Sequence, residues 1–519
     1  MRTQIRILVT VGAMWAATAA SAAGPEVSVT GGKIQGSLAS YGGAVFKAIP
    51  FAQPPTGELR WREPMPVKTW TAVRDATAFG ASCMQGGANT SEDCLFVNVW
   101  TPEWPAKSRK AVMVWFHGGG NFAGAASDPT FDGESFARQG VLLVTAQYRL
   151  GVFGFLAHPE LTKESGRHAS GNYGLLDQIA ALRWVRDNIA KFGGDPGNVT
   201  IFGESAGSLD VNVLMASPLS RELFQRVIGE SGPAVDPPTL AEGEKKGEDL
   251  ALKLTTASQP GLKGLRALSS ADLQKATGQG LSFLGPELGV VVDGWVLPES
   301  PMKVFAAGKA HRVGLLLGSN ARELQRPFFP MTGTLVQAIT EQYGPLANRA
   351  LAAYGLNGGP EPQPDPLFGT VMAQWATDSQ FRCGTVAELV WHTGASNPGY
   401  QFQFARAAPG REAAGAAHGS EVPYVFGNLG GAANAPKYDA TDRQVSAAMQ
   451  GYWTNFAKTG DPNGGGLPRW PKFDAAGRAY LEFTDAGPVV REGLRRQVCD
   501  LYTENLKRRM ALSTEPVRH

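Results

Sequence analysis

One serine of this chain stands where a nucleophile for covalent chemistry is expected. Residues 203–207 read G-E-S-A-G and fit the pattern G-x-S-x-G. A strand-forming run at 199–202 precedes the pattern, and the small and apolar run at 206–217 predicts a helix after it. Because a strand that turns abruptly into a helix exposes its turn residue, Ser205 Oγ should protrude above a sheet at the positive end of that helix. The pattern therefore indicates a serine nucleophile, with the N–H of Ala206 directed at the atom that it attacks.

The base that a serine hydroxyl requires is predicted to be His418. In chains with this kind of turn, the orienting acid and then the base follow the serine in the sequence. His418 lies in the small-residue loop 415–421, where an imidazole can project freely. His392 follows Trp391 in a helix-like run and is expected to pack, and His519 is the last residue of a tail.

Glu323 is the predicted acid. It follows the predicted strand 313–317 across the turn 318–322. The carboxyl end of a sheet strand is where such a group should lie. Asp293, which precedes Gly294, is the main alternative, and its surroundings are equally typical of a turn. On these residues alone, both carboxylates stay open as the acid.

A glycine triplet at 118–120 could stabilise the negative charge that develops when a carbonyl is attacked. It follows the predicted strand 111–116, and no side chain obstructs its N–H groups. Together with the N–H of Ala206, it forms a predicted oxyanion hole. His117 is expected to support the turn. No two histidines stand four residues apart and no C-x-x-C occurs, so the sequence predicts neither a metal site nor a cofactor.

Apolar strands and helices alternate along the chain, which is typical of a doubly wound, mostly parallel sheet. Buried-type strands are predicted at 111–116 and 141–145, and further short strands at 227–229, 313–317 and 400–404. Residues 175–189 have helical spacing. Residues 235–285 and 325–395 are longer and mostly helical, and we expect them to cap the carboxyl ends of the strands. No shift in composition marks a second domain, so residues 23–519 are predicted to form one α/β domain.

The amino terminus has the pattern of an export signal. Two basic residues precede the apolar stretch 7–20, and residues 20–22 read A-S-A, which is typical of a cleavage site. Residues 1–22 are therefore predicted to be a signal peptide, and the mature protein to be secreted or periplasmic. No other stretch approaches the roughly 18 apolar residues of a membrane span. The 48 basic and 46 acidic residues leave a net charge of +2, which argues against nucleic acid as a partner.

The four cysteines favour disulfides in an exported chain, because their number is even. Three pairings are possible. A bond between Cys83 and Cys94 would close a short loop, and one between Cys383 and Cys499 would join distant segments. Four buried thiols are the alternative.

Four segments resemble the type B carboxylesterase family, which includes cholinesterases and bacterial para-nitrobenzyl esterases. Residues 92–99 and residues 192–207 resemble its two signatures. Residues 318–323 are similar to its acid motif, and residues 418–429 to its histidine motif. The resemblance covers about residues 26–505.

The resemblance implies an α/β-hydrolase fold, no cofactor, and a small-molecule ester and water as reactants. It implies a catalytic triad of Ser205, Glu323 and His418, and an oxyanion hole formed by Gly119, Gly120 and Ala206. It places Glu204 beside the site and Ser231 in a hydrogen bond near the acid. It also implies the disulfides Cys83–Cys94 and Cys383–Cys499. Because the family usually has Glu as its acid, the resemblance favours Glu323 over Asp293. The expected activity is ester hydrolysis through an acyl-enzyme, rising through about pH 6–7.5 as the base loses its proton.

Two positions depart from the family. Between the corresponding cysteines, cholinesterases have a long loop that carries a choline-binding tryptophan. In this chain only ten residues separate Cys83 from Cys94, and none of them is tryptophan. A choline ester is therefore not expected as the substrate. Asn121 follows the glycine triplet, where an aromatic residue is common. It is expected to open or polarise the acyl side of the pocket.

Two other functions are compatible with the sequence: a non-catalytic binding or adhesion protein on the same scaffold, and a lipase that acts on long-chain lipid esters.

Within the esterase hypothesis, Arg322 and Arg326 could favour an anionic substrate such as a polycarboxylate ester. Surface arginines without that role are the simpler interpretation.

Overall fold

The structure of the chain is a computed structural model that describes residues 24–256, 258–277, 288–328, 331, 333–431 and 435–512. The predicted signal peptide, His519 and parts of both predicted cap segments lie outside the described residues.

An eleven-stranded sheet runs through the described chain. Its strands, in chain order, are β1 (Ser37–Leu38), β2 (Ala44–Pro50), β3 (Phe96–Thr101), β4 (Lys110–Phe116), β5 (Leu142–Ala146), β6 (Gly194–Glu204), β7 (Arg226–Glu230), β8 (Gly314–Asn320), β9 (Gly399–Phe404), β10 (Ala479–Thr484) and β11 (Gly487–Glu492). Their spatial order is β1-β2-β3-β5-β4-β6-β7-β8-β9-β10-β11. From β5 to β10 in this order, all neighbours are parallel. The remaining pairs at the two edges are antiparallel.

Helices connect most of these strands, and two small sheets lie beside them. The small sheets are formed by Glu26–Val29, Gly32–Gln35 and Arg74–Asp75, and by Ser82–Cys83 and Thr90–Ser91. The α-helices in chain order are α1 (Glu134–Arg138), α2 (Gly151–Phe155), α3 (Pro159–Glu164), α4 (Tyr173–Asn188), α5 (Ala206–Ala216), α6 (Leu240–Leu254), α7 (Gly261–Ala267), α8 (Ser270–Ala276), α9 (Pro301–Ala306), α10 (Leu335–Tyr343), α11 (Ala347–Ala353), α12 (Val371–Thr377), α13 (Cys383–Gly394), α14 (Val422–Phe426), α15 (Ala440–Thr459) and α16 (Arg496–Leu512).

Strand β4 shows how the sheet separates two buried cores. Its residues Val112, Val114 and Phe116 belong to one apolar cluster with helices α4 and α5, whereas Met113 and Trp115 belong to a second cluster with α14 and α15. Since side chains alternate along a strand, a strand that is apolar at every position is covered on both faces. This arrangement confirms the predicted doubly wound, mostly parallel α/β sheet.

Both disulfides that the resemblance implies are present. The Cα atoms of Cys83 and Cys94 are 5.0 Å apart, and those of Cys383 and Cys499 are 4.7 Å apart. No described cysteine is free, so the alternative of four thiols is wrong. The second bridge joins the first residue of α13 to helix α16 near the end of the described chain.

The described parts of the two predicted cap segments contain helices joined by irregular stretches such as residues 354–370. Helices α6, α7 and α8 lie in the first segment, and α10 to α13 lie in the second. No helix in the described ranges is long and apolar enough to cross a membrane.

Candidate active site

Ser205 occupies a strained turn between β6 and α5. Its φ is +55° and its ψ is −120°, a conformation that side-chain-bearing residues rarely adopt. The turn depends on its flanking glycines, because a Cβ atom on Gly203 would lie 2.4 Å from the carbonyl carbon of Gly207. A Cβ atom on Gly207 would lie 2.0 Å from the carbonyl oxygen of Phe116. The local sequence therefore dictates this tight crossing of strand and helix.

His418 connects Ser205 to Glu323. Its Nε2 atom lies 2.8 Å from Ser205 Oγ, and its Nδ1 atom lies 2.8 Å from Glu323 Oε2. A carboxylate can only accept, so Nδ1–H donates to Glu323 and leaves the Nε2 lone pair for the serine hydroxyl. The backbone N–H of His418 also donates to the Glu323 carbonyl at 3.0 Å, which fixes the histidine loop to the acid loop.

Glu323, and not Asp293, is the carboxylate that contacts this histidine. Glu323 is 2% exposed, and its Oε1 atom accepts a hydrogen bond from the N–H of Asn320, the last residue of β8, at 2.6 Å. Asp293 instead accepts hydrogen bonds from the backbone N–H groups of Trp295 and Leu297, which is the turn role that its neighbouring glycine also indicated. The other candidate base, His392, is buried and bonded to the carbonyl of Val313.

Two residues that support the site were not found from the sequence. A π-helical turn, Asp378–Arg382, joins α12 to α13. Within it, Phe381 packs on the His418 ring with 4.8 Å between ring centroids. Arg382 donates to the carbonyl of Ala321 at 2.6 Å, next to the acid loop. A π-helical turn has no sequence periodicity of its own, although such turns are frequent at functional sites.

The glycine triplet lies against Ser205. A Cβ atom on Gly118 would lie 3.1 Å from Ser205 Cβ. Gly119 and Gly120 have φ values of +101° and +65°, which glycine adopts without strain. Within the described residues, the N–H groups of Gly119, Gly120 and Ala206 have no hydrogen-bond acceptor. They are therefore available to a negatively charged oxygen.

His117 has the structural role that the sequence predicts. Its Nδ1–H donates to the Gly118 carbonyl at 2.8 Å, and its ring stacks on Tyr148 with 4.6 Å between centroids. Burial lowers the pKa of His117 to about 4, so the ring is neutral at physiological pH.

The expectation that Asn121 polarises the acyl side of the pocket is wrong, whereas its opening of that side stays a prediction. Its side chain is 8% exposed and points into the protein. Its Nδ2 atom lies 2.9 Å from Asp210 Oδ1, and its Oδ1 atom lies 3.1 Å from the Tyr148 hydroxyl. The backbone at Asn121 is left-handed, with a φ of +62°.

Glu204 lies beside His418. Its Oε1 atom is 3.3 Å from His418 Nε2, and its residue is 9% exposed. Burial raises the pKa of Glu204 to about 7, opposed by the attraction of His418. For His418, burial lowers the pKa, but the negative charges of Glu204, Glu323 and Glu421 outweigh burial and raise it to about 9.

The expected hydrogen bond of Ser231 near the acid is not made by its side chain. The Ser231 hydroxyl is buried and has no partner among the described residues. Its backbone N–H instead donates to the carbonyl of Gly318 at 2.9 Å, which joins the end of β7 to β8.

Arg322 and Arg326 do not form an anion site. The guanidinium of Arg322 donates to the carbonyls of Ala413 and Pro366, at 3.1 and 2.9 Å, and so fastens two loops. Arg326 is exposed. Neither residue supports the idea of an anionic substrate.

Known proteins match this chain over most of its length. The model of the carboxylesterase family matches residues 23–502. Fumonisin B1 esterase of Sphingopyxis macrogoltabida is 36% identical over an alignment of 457 positions, which covers 83% of this chain and 82% of the relative. Para-nitrobenzyl esterase of Bacillus subtilis (strain 168) is 36% identical over an alignment of 482 positions, which covers 87% of this chain and 93% of the relative.

Solved structures share the fold. A PNB esterase superposes with a TM-score of 0.78 at 34% identity, covering 91% of this chain and 99% of that chain. A carboxylesterase of Geobacillus stearothermophilus superposes with a TM-score of 0.78 at 32% identity and the same coverage. The sheet is therefore that of the α/β-hydrolase fold, and the chain belongs to the type B carboxylesterase family, whose members are serine hydrolases of carboxylic esters.

Proposed function

We propose that this chain is an exported serine carboxylesterase that works through an acyl-enzyme on Ser205. The observation that carries the proposal is the unbroken line of hydrogen bonds from Ser205 Oγ through His418 to Glu323, with both distances at 2.8 Å. All three positions of the proposed triad hold residues that can do the chemistry, and hydrogen bonds connect them. This disfavours the non-catalytic alternative, because a binding protein has no need of an oriented base.

The first half of the reaction forms the acyl-enzyme. His418 Nε2 takes the proton as Ser205 Oγ attacks the ester carbonyl, and Glu323 stabilises the imidazolium that results. The N–H groups of Gly119, Gly120 and Ala206 stabilise the tetrahedral oxyanion. The alcohol leaves when His418 returns the proton to its oxygen.

Water completes the reaction by the same route. His418 removes a proton from water, the hydroxide attacks the acyl carbonyl, and the same donors stabilise the second oxyanion. The acid leaves as Ser205 Oγ regains its proton. No step requires a metal or a cofactor.

The proposed substrate is an ester of a small molecule. The two relatives named above are called esterases of fumonisin B1 and of para-nitrobenzyl groups. The short Cys83–Cys94 loop lacks a tryptophan and so gives no support to a choline ester. A long-chain lipid stays the alternative, and turnover that jumps above the solubility limit of the substrate would favour it.

The pH profile tests the proposal. Because His418 is active only when neutral and its pKa is raised to about 9, kcat/KM for p-nitrophenyl acetate should rise with pH through a midpoint above the usual imidazole range. The raised pKa of His418 therefore places the expected rise in kcat/KM above the range of pH 6–7.5 that the sequence indicates. Glu204→Gln removes a negative charge 3.3 Å from Nε2. It should lower the midpoint by about one pH unit or more.

Glu412→Gln is the matched control, since this exposed carboxylate of the preceding loop does not contact His418. Its midpoint should equal that of the unmodified chain. An absence of turnover by the unmodified chain would contradict the proposed function. A midpoint that stays unchanged in Glu204→Gln would contradict the electrostatic role of Glu204 alone.

Export is the second part of the proposal. The basic and apolar pattern of residues 1–22 and the two disulfides support it. Expression in a bacterial host, fractionation and amino-terminal sequencing should give a periplasmic or secreted chain that begins at Ala23. A cytoplasmic product that retains residues 1–22 would argue against export.

A further inference from the structure

We propose that Asn121 and Asp210 are positioning residues that hold the oxyanion-hole loop, residues 118–120, against the helix that begins after Ser205. The inference rests on the proposed function, since it concerns the same reaction. It assigns a role in that reaction to two buried side chains that never touch the substrate.

The oxyanion donors come from two separate elements. Gly119 and Gly120 lie in the loop after β4, whereas Ala206 is the first residue of α5. Donors of this kind act only when all of them lie about 3 Å from the developing oxyanion. A glycine loop with left-handed φ values has little stiffness of its own, so its distance from α5 must be set by other contacts.

Asn121 and Asp210 make such a contact directly. Asn121 is the residue after Gly120, and Asp210 lies in the second turn of α5, five residues after Ser205. Asn121 Nδ2 and Asp210 Oδ1 are 2.9 Å apart, and Asp210 has no exposed surface. One hydrogen bond in a dry interior therefore connects the two elements that supply the donors.

The other end of the loop is held by the same network. The Tyr148 hydroxyl donates to the carbonyl of His117 at 2.7 Å and lies 3.1 Å from Asn121 Oδ1. His117 and Asn121 flank the glycine triplet on its two sides. The single hydroxyl hydrogen of Tyr148 is thus shared between the two flanks, with the shorter contact to His117, and the Asn121 flank is also fixed to Asp210.

The network depends on a carboxyl group that is costly to bury. No cation lies within ion-pair distance of Asp210 in the described ranges, and burial raises its pKa to about 7. Its second oxygen accepts a hydrogen bond from Gln178 Nε2 on α4 at 2.6 Å. Asp210 is therefore held on both sides, and the loop is joined through it to two helices of the core.

A side-chain exchange tests the proposal. Asn121→Asp places two carboxyl groups face to face but keeps a residue type that tolerates a left-handed φ. It should lower kcat/KM for p-nitrophenyl acetate by about 10- to 100-fold, mostly through kcat, and weaken a trifluoromethyl ketone inhibitor in parallel, because both depend on the oxyanion donors. Asn121→Asp with Asp210→Asn restores a carboxyl–amide pair and should return kcat/KM to within about threefold of the original.

Ser208→Ala is the control, because Ser208 lies on the same helix as Asp210 but donates to the carbonyl of Gly232, outside this network. It should lower the unfolding temperature while kcat stays the same. If Asn121→Asp does not fold, Tyr148→Phe replaces it, because it removes only the hydroxyl and should lower kcat with little change in KM. A folded Asn121→Asp with unchanged kcat, a double variant as slow as the single one, or a Tyr148→Phe with unchanged kcat would overturn the proposal. An inactive unmodified chain would instead contradict the proposed function.

Discussion

Replacing Ser205 with alanine is expected to lower kcat for p-nitrophenyl acetate by about a millionfold, as when a triad serine is removed elsewhere. The variant lacks the oxygen that would carry the acyl group, while the donors of the oxyanion hole stay in place. The turn should survive, because alanine and serine have the same steric limits at a φ of +55°. The measurement is steady-state hydrolysis together with the unfolding temperature of both proteins.

Ser208→Ala is the matched control for this prediction. Ser208 lies on the same helix, is fully buried, and donates to the carbonyl of Gly232 at 2.7 Å. Asn212 also donates to that carbonyl, so the loss should cost only about 1 kcal/mol of stability and leave kcat unchanged. A Ser205→Ala protein that retains turnover after repurification would rule out Ser205 as the nucleophile. Equal inactivity of all three proteins would revive the hypothesis of a binding protein.

Glu323→Gln should lower kcat by about 10³- to 10⁴-fold, the usual effect of removing the triad acid. Glu323 accepts two hydrogen bonds, one from His418 Nδ1–H and one from the N–H of Asn320. A glutamine has only one carbonyl oxygen, so one of these two donors would face an N–H₂ group. The imidazole would then lose either its orienting bond or its productive tautomer, and the imidazolium would lose its counter-charge.

Asp293→Asn is the matched control, because the sequence leaves Asp293 as the alternative acid. Asp293 holds a turn through two backbone N–H groups and makes no contact with His418. Its replacement should lower the unfolding temperature and leave kcat within about twofold, since the contacts of this buried turn affect stability and do not reach His418. A loss of kcat in Asp293→Asn as large as that in Glu323→Gln would refute the assignment of the acid.

The turn at Ser205 could be predicted from the sequence because all of its determinants are local. Gly203, Ser205 and Gly207 stand within five residues, and the apolar strand and the helix adjoin them. The same holds for the parallel strands, whose apolar runs agree with β4 to β9 to within a few residues, except that β6 begins earlier, at Gly194. The local apolar pattern is enough to predict a strand that is covered on both faces, because such a strand is apolar at nearly every position.

Side-chain directions at the site depended on distant segments. Asn121 was expected to face the pocket, yet its partners Tyr148 and Asp210 lie 27 and 89 residues away. The contact of Phe381 with His418 arises from a π-helical turn that no periodicity marks. Neither contact could be read from neighbouring residues.

The carboxy-terminal part of the sheet also escaped the sequence analysis. Strands β10 and β11 form an antiparallel hairpin at the edge, and the outer strand is largely exposed, so its apolar signal is weak. Helix α15 buries Trp453, whose Nε1–H donates to Glu230 Oε1 at 2.9 Å. Such a contact joins segments more than two hundred residues apart and leaves no local pattern.

The most direct test of the account is the site of the acyl group during turnover. A reaction with a slowly deacylating p-nitrophenyl ester would be quenched in acid during the first turnover, digested, and analysed by peptide mass spectrometry. We predict one acyl group per chain, on Ser205, which forms as fast as p-nitrophenol is released. Release of p-nitrophenol with Ser205 unmodified, or with the acyl group on another residue, would contradict the central claim.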